Sequence, residues 1–184
     1  MRVSPISWIS WNESRVRTVA ACSAGVTHNH PEGVKGAQAA ALAGCWLRNG
    51  CRSLDVLADM RTQFGYKFPK FEKIRAEYKF DATCQGSVPH AITAGVMAGY
   101  FEVALQYAIS LGGDSDTLAC IAGGIAGTHC RIPEELLEFA KSKLPGEMID
   151  IVEKFKNMFL PDYPDFDPPV NPYAAYDPDE YEED

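Results

Sequence analysis

The chain of 184 residues lacks any apolar run long enough to cross a membrane, and it lacks a basic stretch followed by an apolar signal core. Both absences leave the cytoplasm as the expected location, with no membrane partner. Period-2 alternation is also missing, so no segment reads as a half-buried strand. The six cysteines (Cys22, Cys45, Cys51, Cys84, Cys120 and Cys130) include no pair at the two-residue spacing of a zinc site. A chain of this size and apolar content does not depend on disulfide staples, and thiols in apolar segments are ordinary buried hydrophobes. Charge is scarce in one sense too. Nine of the 25 acidic residues and none of the 17 Lys and Arg fall within residues 161–184, leaving sixteen acids against seventeen bases in the rest. That balance offers no basic footprint for duplex nucleic acid.

What is present reads as helix after helix around one core, and 46% hydrophobic content is enough for an ordinary domain. Pro31 suits a first helical turn, and Glu32 to Trp46 follows with many small residues that permit close helix approach, before Asn49-Gly50 stops it. Ser53 is placed to cap Leu54 to Met60. Lys70 to Tyr78 is a weaker helical segment. Pro89 is read as the start of a helix running towards Gly99, with Phe101 to Ser110 next and Thr117 to His129 after that. Pro133 to Lys143 opens with Pro-Glu-Glu, a good N-terminus. Met148, Ile151, Val152, Phe155 and Phe159 then share one face of an amphipathic helix. The expected fold is all-α, a compact multi-helix domain over residues 1–160. Residues 161–184 are rich in Pro, Asp and Tyr, and read as a disordered acidic tail.

One stretch carries chemistry. In Leu111-Gly112-Gly113-Asp114-Ser115-Asp116-Thr117 two glycines allow a sharp turn, and two carboxylates and a hydroxyl follow within four residues at the mouth of an apolar helix. Oxygen donors of this kind suit Mg²⁺, Mn²⁺ or Ca²⁺. The plain alternative is that Asp114 or Asp116 merely caps the helix. Similar alternatives hold elsewhere. His30, before Pro31, reads as a local cap. Ser87 is placed either to cap a helix at Pro89 or to meet a ligand. His90 and His129 read as structural histidines whose hydrogen bonds are satisfied.

Taken in order, Met1-Arg2-Val3-Ser4-Pro5-Ile6-Ser7, Ser23-Ala24-Gly25-Val26-Thr27-His28, Cys84-Gln85-Gly86-Ser87-Val88-Pro89, the Asp114–Thr117 cluster and Ile132-Pro133-Glu134-Glu135 resemble the C-terminal part of the ADP-ribosylglycohydrolase family. The resemblance implies a helical protein that binds two Mg²⁺ or Mn²⁺ ions and hydrolyses the bond between ADP-ribose and an acceptor. Asp114 and Asp116 would be the catalytic carboxylates, and with Thr117 the metal ligands, Asp116 shared between the ions. Arg2, His28 and Ser87 would contact ADP-ribose or an ADP-ribosylated substrate. Family members carry a further acidic cluster and a glycine loop upstream of the segment matching Met1-Arg2. The site is therefore expected to be N-terminally incomplete, with a second chain as one way to complete it. Two other outcomes follow from the same resemblance: an inactive module that binds ADP-ribose or metal, and a structural, crystallin-like protein.

Overall fold

The computed structural model describes residues 1–160, and the expected acidic tail lies outside them. Among the described residues there are a 3₁₀ helix, Ser4–Trp8, and nine α-helices. These are α1 (Glu13–Gly25), α2 (Pro31–Arg48), α3 (Ser53–Phe64), α4 (Phe71–Glu77), α5 (Cys84–Met97), α6 (Phe101–Ser110), α7 (Ser115–Ala126), α8 (Glu134–Ser142) and α9 (Gly146–Phe159). No strand occurs among them, so the fold is the all-α, multi-helix one. None of the helices is long and apolar enough to cross a membrane.

The core is built on α2, α5 and α7, whose small residues let backbones approach closely. Gly95 of α5 faces α7 so tightly that a Cβ there would lie 2.7 Å from the Ala122 carbonyl oxygen and 2.9 Å from Ile125 Cβ. Leu42, Leu57, Ile92, Leu118 and Val16 fill the space that remains and are fully buried. The 3₁₀ helix lies across α2 and α7. Ser7 donates from its hydroxyl to the Ala41 carbonyl at 2.9 Å and is packed on Gly44, while Ser4 sits against Gly124. Arg48 fixes the other end of that segment. It donates to the Trp8 carbonyl at 2.7 Å and stacks its guanidinium on the Trp11 ring at 3.7 Å. The chain ahead of it, Met1 to Val3, is thereby held in place.

Local structure departs from the sequence reading at several caps. Helix α5 begins at Cys84, five residues before Pro89, because Thr83 accepts from the Gly86 N–H at 3.1 Å and is the true N-cap. Pro89 lies inside the helix and is buried. Ser87 does not cap either: it is a buried helical residue whose hydroxyl donates to the Thr83 carbonyl at 2.6 Å. Ser53 is likewise drawn away, donating to the Val96 carbonyl at 2.8 Å and so tying α3 to α5. His30 does cap α2, its Nδ1 accepting from the Glu32 N–H at 3.3 Å. Of the cysteines only Cys45 and Cys130 are buried, and Cys22, Cys51 and Cys120 are exposed. Helix α9 forms where its periodicity places it, yet Met148, Ile151 and Val152 remain at least half exposed.

Candidate active site

A cleft of about 480 Å³ opens where the ends of five segments meet. Its walls are Met1 to Val3, the C-terminal end of α1 with His28, the first turns of α2, residues 82–88, and the start of α7. The N-termini of α2, α5 and α7 all contribute, so three positive dipole ends are gathered around one space. On α2, Gly33, Gly36, Ala37 and Ala40 fall at helical spacing and form the floor. In the sequence these residues read only as sites of close helix packing. Their repeat of 3, 4 and 7 residues ending at a helix start was the available signal for a groove.

The acidic loop is built by backbone conformation. Gly112 and Gly113 both adopt left-handed φ, of 73° and 63°, which residues with a Cβ resist. This turns the chain so that Asp114 stands at the N-cap position of α7. Its side chain makes no capping bond, however. Asp114 thus reaches the cleft instead, and the capping alternative fails for it. Asp116 is exposed, and its Oδ1 accepts from the Thr117 N–H at 2.9 Å. A hydrogen bond with the Asp114 carboxyl, followed by that Thr117 N–H, holds the Asp116 carboxyl below the usual carboxylate range. Two carboxylates two residues apart make a concentrated anionic point beside a helix N-terminus.

The cleft is lined by Arg2, His28, Ser87, Asp114 and Thr117 together, residues separated by as much as 115 positions in sequence. Asp116 stands beside it rather than on its wall. His28 is exposed, its Nδ1 lying 2.7 Å from Thr27 Oγ1, which leaves Nε2 free of that contact. The turn that carries it is tight, since a Cβ on Gly33 would come within 2.8 Å of the His28 carbonyl oxygen. His90 and His129 are not satisfied as expected: each has a buried Nδ1 without a hydrogen-bond partner. Burial lowers the pKa of both rings.

Among the described residues no group of three or more His, Cys, Asp or Glu side chains converges as a metal cluster. Asp114, Asp116 and Thr117 carry two carboxylates and a hydroxyl, oxygen donors of the kind a divalent cation takes. They do not make up the donor set of two ions.

A family model for ADP-ribosylglycohydrolases matches residues 1–160. The chain belongs to that family. A 31-residue stretch is 55% identical to the "ADP-ribosylhydrolase ARH3" of Danio rerio, covering 17% of this chain and 8% of that protein. The chain thus aligns with only a small part of that curated relative. No solved structure matches. Membership accounts for the all-α fold and ties the chain to ADP-ribosylglycohydrolase activity at the level of the family.

Proposed function

We propose that this ADP-ribosylglycohydrolase relative binds an ADP-ribosyl group in the cleft and hydrolyses its glycosidic bond to an acceptor. The observation that carries the reading is the meeting of Arg2, His28, Ser87, Asp114 and Thr117 in one cavity. The diphosphate of ADP-ribose suits the convergent N-termini of α2, α5 and α7, with the Arg2 guanidinium able to pair with phosphate oxygens. His28 Nε2 and the Ser87 side of α5 are placed to meet ribose or phosphate oxygens. Asp114, Asp116 and Thr117 would hold Mg²⁺ or Mn²⁺, which in such a site polarises a ligand oxygen and lowers the pKa of a bound water. The carboxylates themselves orient a ribose hydroxyl and accept its proton's hydrogen bond, a positioning effect that depends on their fixed turn.

The two-carboxylate donor set also favours a second reading, an ADP-ribose-binding module without turnover. One experiment separates the two. Free ADP-ribose released from an ADP-ribosylated peptide is followed with Mg²⁺ or Mn²⁺, alongside calorimetry of ADP-ribose binding. Release by the wild type that falls at least about 100-fold in Asp114→Asn supports hydrolysis, since loss of a fixed catalytic group has that scale. Binding that depends on Arg2 without release supports the module. Neither binding nor release would sink both.

A further inference from the structure

The acidic loop before α7 is held from one side. In the direction a Cβ would take, Gly112 meets nothing within 4 Å. Gly113 meets the link between α4 and α5: a Cβ there would lie 3.1 Å from Phe80 Cα, 3.3 Å from Tyr78 Cε1 and 3.5 Å from Phe80 Cβ. The loop thus rests on the backbone of the link at the residue before Asp114. Asp114 makes no capping bond that would fix its side chain. Its direction follows from the turn beneath it, and that turn is placed by what Gly113 touches.

The link is anchored at both ends. The Tyr78 N–H donates to the carbonyl of buried Ile74 at 2.8 Å, closing α4. At the other end Asp81 Oδ1 accepts from the Thr83 N–H at 2.7 Å, just ahead of the helix that brings Cys84 and Ser87 to the wall of the cleft. Between these anchors the Tyr78 ring meets the His90 ring edge-on, at 5.3 Å between centroids. The Tyr78 hydroxyl is buried and lacks a hydrogen bond of good geometry, so the ring makes the useful contact. Phe80 differs, for it brings Cα and Cβ against Gly113 while its side chain is 69% exposed. A second cavity, of about 380 Å³, lies beside the link and is lined by Glu77, Tyr78, Phe80, Asp81 and His90 among others. Without the Tyr78 ring the loop gains space to retreat into and loses its packing partner on that side.

We propose that Tyr78 is a positioning residue for the candidate site: its ring, set against His90 and Gly113, holds the acidic loop so that Asp114 faces the cleft. The placement of Asp114 stands on these contacts alone. Its effect on turnover rests on the hydrolase reading.

The test compares Tyr78→Leu, Tyr78→Phe and Phe80→Ala in the full chain by two readouts. One is the backbone amide order parameter from NMR relaxation, and the other is release of ADP-ribose from an ADP-ribosylated peptide with Mg²⁺. Leucine keeps apolar bulk and removes the flat ring. In Tyr78→Leu the order parameters of residues 113–115 should fall below about 0.6, while those of residues 91–96 in the core of α5 stay near about 0.85. Release should lose at least about tenfold in kcat and change less than about threefold in KM, because a reacting group misplaced by about 1 Å costs on the order of 100-fold. Tyr78→Phe should restore both readouts. Phe80→Ala keeps the two atoms that touch Gly113 and should leave both near wild type. An acidic loop as rigid in Tyr78→Leu as in the wild type, or order lost equally along α5, overturns the proposal. So does a Tyr78→Phe or Phe80→Ala chain as impaired as Tyr78→Leu, and so does a loosened loop with release at the wild-type rate. If no form of the chain releases ADP-ribose, a loop loosened only in Tyr78→Leu leaves the placement by Tyr78 standing and removes the hydrolase reading.

Discussion

Helices α5 and α7 on one side, and α8 and α9 on the other, draw on similar apolar side chains and come to opposite ends. Along α5 every residue from Ala91 to Met97 is buried. Helices α8 and α9 bury none of theirs. Phe139, Met148, Ile151 and Met158 are all more than half exposed. The α8–α9 pair is joined across its surface by an ion pair, Lys141 Nζ to Glu153 Oε1 at 3.8 Å, of a kind that contributes little. An apolar stripe therefore states that a helix can bury a face, and small residues decide whether another backbone can come near enough. Gly95 and Gly124 supply that approach in the core: α5 and the 3₁₀ helix each meet α7 at a position with no room for a Cβ, and α6 packs closely on Gly123. The catalytic candidates sit on the tightly packed side, where the start of α7 cannot drift.

The largest effect should come from filling that contact. Gly95→Leu would place atoms inside the Ala122 carbonyl and against Ile125, and is expected to cost about 3 kcal/mol or more, the upper end for an overpacked core, because one of the atoms met is backbone. Chemical denaturation should find the variant unfolded or molten. A variant that retained near-native stability would show α5 and α7 to be much less tightly joined than their spacing indicates.

A smaller effect should come from pH. Burial lowers the pKa of His129, whose Nδ1 is unpartnered and whose Nε2 lies 3.4 Å from the Ala98 carbonyl at the α5–α6 junction. His90 is shifted the same way by burial. The unfolded chain takes up protons on these rings below about pH 6.5, whereas the folded chain resists them. Stability is therefore full above the unfolded value and falls as the pH drops from there towards the lowered folded values. The melting temperature should decline by a few degrees between pH 7.5 and 5.5, and His129→Gln should flatten part of that decline. An unchanged pH profile in the variant would mean that His129 takes up its proton as readily in the fold as in the unfolded chain.

The smallest effect should be on the exposed face. Ile151→Lys is expected to change stability by less than about 0.5 kcal/mol, since the side chain is 65% exposed. Thermal melts at low and high protein concentration would check it. A marked drop at high concentration alone would mean that copies of the chain cover this face, and the contrast between the two helix pairs would then belong to the isolated chain only.

Much of the fold is legible residue by residue. Phe101 to Ser110 forms a helix with the limits its pattern indicates, and Pro31 and Glu32 begin another after a histidine cap. Ser53 and Ser87, both placed by sequence to cap, do not cap for one reason. Each hydroxyl found a carbonyl to donate to, Ser53 on another helix and Ser87 one turn back in a helix that starts earlier than its proline suggests. The helix-starting proline is a sound local signal overruled by the cap at Thr83, six residues before it.

By itself the sequence determined an all-α protein, the turn at Gly112-Gly113, the carboxylate cluster that follows it, and the family those ordered motifs belong to. These depend on neighbours along the chain: backbone φ, helix periodicity and short-range spacing. Tertiary structure alone decided that Arg2, His28, Ser87 and Asp114 share one cleft, and that Asp114 leaves the helix uncapped to face it. It also decided that a second, carboxylate- and aromatic-lined cavity lies against the same loop, and that the apolar face of α9 stays open. Those outcomes depend on which helices come close enough to touch, and that is set by contacts between residues many turns apart, where local propensity carries no information.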